Sequence, residues 1–369
     1  MYSELFRPDD ASLNVSEKEL LRLFVERVRR KYTVSSELED IRFQRIKLGF
    51  SPVTKLFSRS KYVFPYFIKL GDANEIERES RNYGIASQRI PPLNVPPLET
   101  YLQGTRLGKE HSSTSLIAFR YITGSDRTLP PLSLFYGYEE MSKYELVEVI
   151  DEIFQNVLRE LHSFHTKKEI LITKHLIHKI ANFQNSEYPI LLNLVKKYNH
   201  VARNARRLKF PHGKIHGDLH LENILLGRKA SPVIIDFGMM YDRGCLIRDF
   251  AEFEVAMLVA ALFNDFERTS IFAKMFYSSG GFLNNHGVDR FSRAAQTVRA
   301  NLHVLSRSAP GYLLDITKLS YLYDIHLMRY ICSYLLIVVE TLGEEKKHAI
   351  VGYMTQIFET LHARVTKGD

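Results

Sequence analysis

Apolar residues recur with two periods along this chain, and the change from one to the other divides it. Residues 16–32 carry Leu20, Leu21, Phe24, Val25 and Val28, the three-and-four spacing of one helix face. Ser16 and Glu19 are spaced as a capping box, so the helix is expected to begin there. From 41 to 70 the pattern shortens to alternation. It predicts strands over 43–48, 53–57 and 62–70, with the turn Gly49-Phe50-Ser51-Pro52 between the first two. A helix is predicted over 74–83. Residues 90–97 (Ile-Pro-Pro-Leu-Asn-Val-Pro-Pro) read as an extended connection, because each proline fixes φ and turns the preceding residue away from helix. Residues 115–122 form one more strand.

Beyond Tyr136 the spacing is mostly helical, over 144–165, 191–207, 248–263, 291–305 and 319–342, with short strands at 223–226 and 233–235. Strands first and helices second predict an α+β protein with two lobes across a cleft. The expected division is an N-terminal helical extension over 1–40, a small β-rich N-lobe over 41–122 and a larger, mostly helical C-lobe over 123–369.

Composition narrows the picture. The chain has 369 residues, 45% hydrophobic and 25% charged, an ordinary globular balance that suits two lobes. The two cysteines, Cys245 and Cys332, lie far apart, so no disulfide framework is expected and a reducing compartment is. Met1-Tyr2-Ser3-Glu4 is not a basic-then-apolar leader. The apolar runs at 255–263 and 331–339 are about half of what a bilayer span needs. A cytoplasmic protein with no membrane partner is the expectation.

The net charge of +8 comes partly from Arg203, Arg206, Arg207, Lys209 and Lys214. Stacking aromatics are sparse there apart from Phe210, which disfavours nucleic acid. A solvated helix face and steering of an acidic ligand both remain open. Of the 14 histidines, His162/His165 and His175/His178 are spaced three apart with no cysteine near them. They read as packing or surface residues, not as zinc ligands.

The chemistry concentrates in His216-Gly217-Asp218-Leu219-His220-Leu221-Glu222-Asn223, followed by Ile235-Asp236-Phe237-Gly238. Phosphoryl transfer from a nucleotide needs one carboxylate beside the attacking hydroxyl, and an amide and a second carboxylate to hold magnesium. Asp218, Asn223 and Asp236 supply these in that order. Asp218 is expected to orient the hydroxyl and take its proton late in the transfer. Asp236, at the end of the apolar run Val233-Ile234-Ile235, suits a magnesium ligand. Asn223 adds a neutral oxygen.

This stretch resembles the aminoglycoside phosphotransferase and choline kinase branch of the protein-kinase-like fold. The branch reads H-G-D-x-H-x-x-N, matched by His216, Gly217, Asp218, His220 and Asn223, and its I-D-F-G is matched by residues 235–238. The resemblance implies a two-lobed kinase-like fold, Mg2+ and ATP in the cleft, and transfer of the γ-phosphoryl group to a hydroxyl. It implies that the His216 ring supports the loop and that Asp249 does the same from the next helix. It is specific over about residues 158–255, and the final hundred residues lie outside it.

Such a fold needs a strand lysine for the α/β-phosphates and a helix glutamate to hold it. Lys69 shares a strand face with Val63 and Phe67, and Glu79 lies on the apolar stripe three residues after Ile76, with Glu75 and Glu77 as alternatives. A full G-x-G-x-x-G is absent, since only Gly49 stands between the first two strands. The amides there and the Ser51 hydroxyl are the expected phosphate donors. Residues 119–122, with Phe119 and Tyr121, are the expected adenine hinge.

Residues 237–248 alone stand between Asp236 of D-F-G and Asp249, and no A-P-E occurs. That favours a small-molecule acceptor over a protein. Glu252 and Glu254 are candidates to orient an amine-bearing substrate. A nucleotide-binding regulatory or interaction module on the same fold is the alternative, with a protein partner on the C-terminal helices.

Overall fold

The structure, a computed structural model, describes residues 13–32, 41–45, 53–59, 65–103, 114–120, 132–162, 164–169, 189–205, 209–227, 231–278, 289–307, 316–341 and 344–367. The chain forms two compact units. The first is Met1–Leu134 with Glu222–Met240, the second Phe135–Leu221 with Tyr241–Asp369.

The first unit is built on an antiparallel sheet of β1 (Arg42–Arg45), β2 (Thr54–Arg59), β3 (Tyr66–Asp72), β4 (Leu98–Gln103) and β5 (Thr114–Arg120), ordered β1-β2-β3-β5-β4. Alternation sends Leu56, Ile68, Leu70, Leu116 and Ala118 to one face. There they form a core with Leu20, Leu21, Phe24, Val25 and Val28 of helix α1 (Val15–Tyr32). Expected as a separate extension, α1 is instead part of this core, with Phe24 edge-on to Tyr66 at 5.2 Å. Its cap is also two residues earlier than predicted. Asn14 N–H donates to Glu17 at 2.9 Å while Glu17 N–H donates to the Asn14 side chain at 2.9 Å. Asn14-x-x-Glu17 has the same spacing as Ser16-x-x-Glu19, and the earlier pair is the one used.

The opposite sheet face carries Lys55, Phe57, Phe67, Lys69, Ile117 and Phe119, and the ladder sets Lys55 opposite Lys69 and Lys69 opposite Ile117. Helix α2 (Ala73–Ala86) packs against β3 and β5.

The segment Glu222–Met240 joins this unit, whereas the expected division put it in the helical lobe. Its short strands β9 (Ile224–Leu226) and β10 (Pro232–Ile234) pair with each other, and β9 pairs with β6 (Leu132–Ser133). Asn94 and Asn82 of the first unit donate to the Pro232 and Phe237 carbonyls, each at 2.8 Å. The Phe237 ring lies 6.1 Å from that of Tyr83. These contacts outweigh chain order.

The second unit is mostly helical. Helices α3 (Leu134–Glu140) and α4 (Lys143–Asp151) are followed by a π-helical turn, Glu152–Val157. Ser142 and Glu145 form a capping box at the start of α4. The predicted helix to 165 stops short because β7 (Phe164–Glu169) pairs with β8 (Lys209–Ile215), which also pairs with β11 (Tyr241–Cys245). The remaining helices are α5 (Pro189–Ala205), α6 (Ile247–Asn264), α7 (Phe266–Ser278), α8 (Arg290–Arg307), α9 (Ile316–Thr341) and α10 (Glu344–Lys367).

Helix α6 is buried on all sides from Phe250 to Leu262 and is the core of the unit. Around it pack α7, α8 and α9. Each fully buried Leu or Phe there contributes about 1.5–3 kcal/mol. Against the expectation from apolar runs alone, Thr317–Val339 in α9 is long and apolar enough to cross a bilayer, yet 78% of that window is buried inside the protein. It is a core helix. Arg364 of α10 donates to Asp324 of α9 at 2.6 and 2.5 Å, joining the last hundred residues to the same body.

Candidate active site

In the first unit, strand β3 ends beside the start of α2, where the Asp72 side chain caps the helix by accepting from Asn74 N–H at 2.9 Å. Helical spacing then buries Ile76, Glu79 and Tyr83 on one stripe. Lys69 Nζ donates to both Glu79 oxygens at 2.8 and 2.9 Å and stands 2.8 Å from Asp236 Oδ1. Lys55 Nζ is 3.4 Å from the other Asp236 oxygen. Two cations thus meet two carboxylates in a row, with Lys55, Lys69 and Glu79 buried and Asp236 partly buried.

Burial alone would lower the Lys69 ammonium. The neighbouring Asp236 and Glu79 outweigh it and raise it above its ordinary value, so Lys69 is a fixed positive charge. Asp236 is held in a left-handed conformation, φ 66 and ψ 64, the one non-glycine residue at positive φ among the described residues. Such a backbone costs on the order of 1–3 kcal/mol and persists only where its surroundings enforce it. Asn223 is buried, and its carbonyl accepts from Ile235 N–H at 3.0 Å, which places it beside the residue preceding Asp236. A carboxylate and an amide, with no sulfur or imidazole among them, are the hard oxygen donors that suit magnesium.

In the second unit, the loop 216–220 is held by its backbone. The Asp249 carboxylate, fully buried in the first turn of α6, accepts from His216 N–H at 2.7 Å, Gly217 N–H at 2.9 Å and His162 Nε2 at 2.9 Å. Burial would push this carboxyl up. The His162 contact and the Gly217 amide outweigh it and hold it low. Glu252, one turn on, accepts from Leu219 N–H at 3.2 Å, and Arg248 donates to the Gly217 carbonyl at 2.9 Å and to the Tyr330 hydroxyl at 2.8 Å. Gly217 has φ 82, where a side chain would be strained. With its backbone pinned on both sides, the loop leaves the Asp218 carboxylate 38% exposed, 3.7 Å from His220 Nε2.

Both arrangements fall within the stretch that matches a known family. Residues 43–270 match the model of a family described as "Phosphotransferase enzyme family". The chain belongs to that family. Among solved structures, an amicoumacin kinase in complex with AMP-PNP, Ca2+ and Ami is 12% identical with a TM-score of 0.54, over 93% of this chain and 96% of the other. A thermostable mutant of aminoglycoside phosphotransferase APH(4)-Ia, apo form, is 9% identical with a TM-score of 0.50, over 93% and 98%. At these identities the likeness is one of fold, and the α+β protein-kinase-like architecture is that fold. No curated protein matches the sequence.

Within this phosphotransferase, Lys69, Glu79 and Asp236 come together, and Asn223 stands on the strand pair that carries Asp236. Asp218 and His216 lie on the pinned loop, His216 buried and Asp218 partly open. Phe119, with Arg120, is the part of the expected hinge that falls among the described residues, and its ring is buried. It is a core residue, 5.1 Å from the Tyr83 ring and flanked by β3 and β4. Gly49, Ser51 and Tyr121 lie outside the described residues.

Glu254 is no substrate ligand. It is fully buried, receives Arg299 at 2.9 and 2.7 Å, and accepts from Tyr277 and Tyr323 at 3.0 and 2.8 Å. Glu252 holds the loop instead of facing a ligand. The sequence reading missed Lys55, Arg248 and the buried contact of His162. Lys55 had one usable signal, its place in the alternation of β2, and strand lysines are too common for that to single it out.

Proposed function

We propose that this chain is an ATP- and magnesium-dependent phosphotransferase that moves the γ-phosphoryl group to a hydroxyl of a small molecule. The observation that carries the reading is Lys69, held between Glu79 and Asp236 at 2.8–2.9 Å. A buried, doubly paired lysine beside a strained aspartate is what phosphate recognition requires and a plain core does not. Asp236 and Asn223 would hold the magnesium ion, whose charge would offset that of the phosphates. Lys69 binds the α/β-phosphates and Glu79 fixes the lysine. Asp218 aligns the acceptor hydroxyl and takes its proton as transfer completes. Glu252, Asp249 and Arg248 keep the loop in place so that no reorganisation is needed during reaction.

The short connection after D-F-G supports a small acceptor. Residues Tyr241–Cys245 form β11, paired to β8, and α6 begins at Ile247. The AMP-PNP complex of the amicoumacin kinase supports nucleotide use.

The test is transfer of label from γ-labelled ATP to a panel of hydroxylated small molecules, aminoglycosides included, with and without magnesium. Magnesium-dependent label on one acceptor class is the expected result. Label on none, with ATP bound, would leave a nucleotide-binding module.

A further inference from the structure

The proposed nucleotide site accounts for one buried lysine, but among the described residues the first unit holds two. Lys55 lies on β2 directly across the ladder from Lys69, so both side chains leave the same sheet face, and its side chain is only 5% exposed. Its ammonium is 3.4 Å from Asp236 Oδ2, against 2.8 Å for Lys69 and the same aspartate. Among the described residues Asp236 is the one carboxylate within ion-pair distance of Lys55. Lys69 has Glu79 as well.

The asymmetry has a consequence when magnesium and nucleotide bind. Asp236 would be the carboxylate that holds the metal, and an aspartate so engaged would no longer compensate two lysines. Lys69 keeps Glu79. Lys55 keeps only the longer-range attraction of Glu79, with no carboxylate in contact, and an ammonium left so weakly compensated in a buried site is costly. The charge that arrives with the metal is the polyphosphate, which is strongly negative and rich in acceptor oxygens.

We propose that Lys55 is a second phosphate-binding lysine, which exchanges Asp236 for the nucleotide's phosphate oxygens when the metal complex binds. This rests on the nucleotide reading above and extends it. Lys55 touches substrate, whereas a purely structural lysine would only balance Asp236.

The two roles separate by comparing ATP with adenosine, which carries no phosphate. Calorimetric titrations of Mg·ATP, and competition by adenosine, would be run on wild type, Lys55→Met and Lys55→Arg, with melting curves to confirm folding. A charge-assisted hydrogen bond corresponds to about 10–100-fold in affinity. Lys55→Met is therefore expected to weaken Mg·ATP by about tenfold or more while adenosine is unchanged, and Lys55→Arg to recover most of the loss. Wild-type affinity for Mg·ATP in Lys55→Met, at an unaltered ATP-to-adenosine ratio, would overturn the assignment and leave the nucleotide reading standing. No binding by wild type at millimolar Mg·ATP would overturn that reading and this inference with it.

A second measurement needs no variant. An acyl-phosphate derivative of ATP acylates lysines beside its phosphates, and peptide mass spectrometry of wild type should find Lys55 labelled with Lys69. Label on Lys69 alone would overturn the assignment.

Discussion

The two units hold their chemical groups in opposite ways. In the first, the chemistry-bearing side chains hold one another, Lys69 and Lys55 against Asp236 and Glu79, with the charges balanced before any ligand arrives. In the second, the supporting groups are not the reacting one. Asp249, Glu252 and Arg248 grip the loop by its amides and a carbonyl, and Asp218 is left partly open. A group that must exchange partners for a cation and phosphates can use its neighbours as temporary counter-ions. A group that must meet a neutral hydroxyl with its full charge has to be held from behind. On the proposed function, this difference would put ligand binding in the first unit and proton handling in the second.

The sharpest way to break this comparison is Asp218→Ala. Turnover should fall by about 10²–10⁴, while Mg·ATP affinity stays within about twofold by calorimetry, since that carboxylate takes no part in the first unit's charge balance. Loss of binding in this variant would dissolve the division of labour. Next comes Glu79→Gln. It leaves the buried Lys69 with Asp236 alone, and removing one partner of a buried pair costs about 3 kcal/mol or more. Urea unfolding followed by fluorescence should show the destabilisation, and phosphate affinity should drop with it.

A third test concerns the second unit's own electrostatics. Burial pushes the His326 imidazole down to about 3 from an ordinary 6.5, with Arg329 and Arg248 adding to the effect. Its Nε2 stands 3.6 Å from Cys245 Sγ, at the end of β11. Between those two values the unfolded chain binds the proton that the folded one refuses, so stability is complete above about 6.5 and declines as pH falls toward 3. Melting temperature measured from pH 7 to pH 4 should therefore fall less steeply in His326→Leu than in wild type. An identical slope would contradict the assignment.

The smallest expected effect is that of Asp249→Asn. An amide there keeps one acceptor and turns a donor toward the loop amides, at a cost of about 1–3 kcal/mol. It should lower turnover with nucleotide affinity unchanged, the pattern of a positioning residue. Equal losses in both would mean that the loop supports binding too.

What the sequence revealed depended on distance along the chain. Asp218, Asn223 and Asp236 fall within one short stretch, so their order and spacing could be read directly. Lys69 and Glu79 followed from the periods of two adjoining elements, strand then helix. Lys55 did not, because its significance comes from standing across the ladder from Lys69 and near Asp236, far away in sequence. Glu254 and Arg299 were equally hidden, and a glutamate on an apolar helix reads as a ligand until its buried arginine is seen. The sheet of β7, β8 and β11 also escaped, since its strands pair across long separations and carry no clean alternation. The placement of Glu222–Met240 with the first unit was set by Phe237, Asn82 and Asn94, contacts that no local pattern encodes.

The most direct test of the account is the titration of ATP into wild type, Asp236→Ala and Asp218→Ala, each with and without magnesium. The account predicts magnesium-dependent binding in wild type and in Asp218→Ala, and its loss in Asp236→Ala. Undiminished binding in Asp236→Ala, or none in wild type at millimolar ATP, would contradict it.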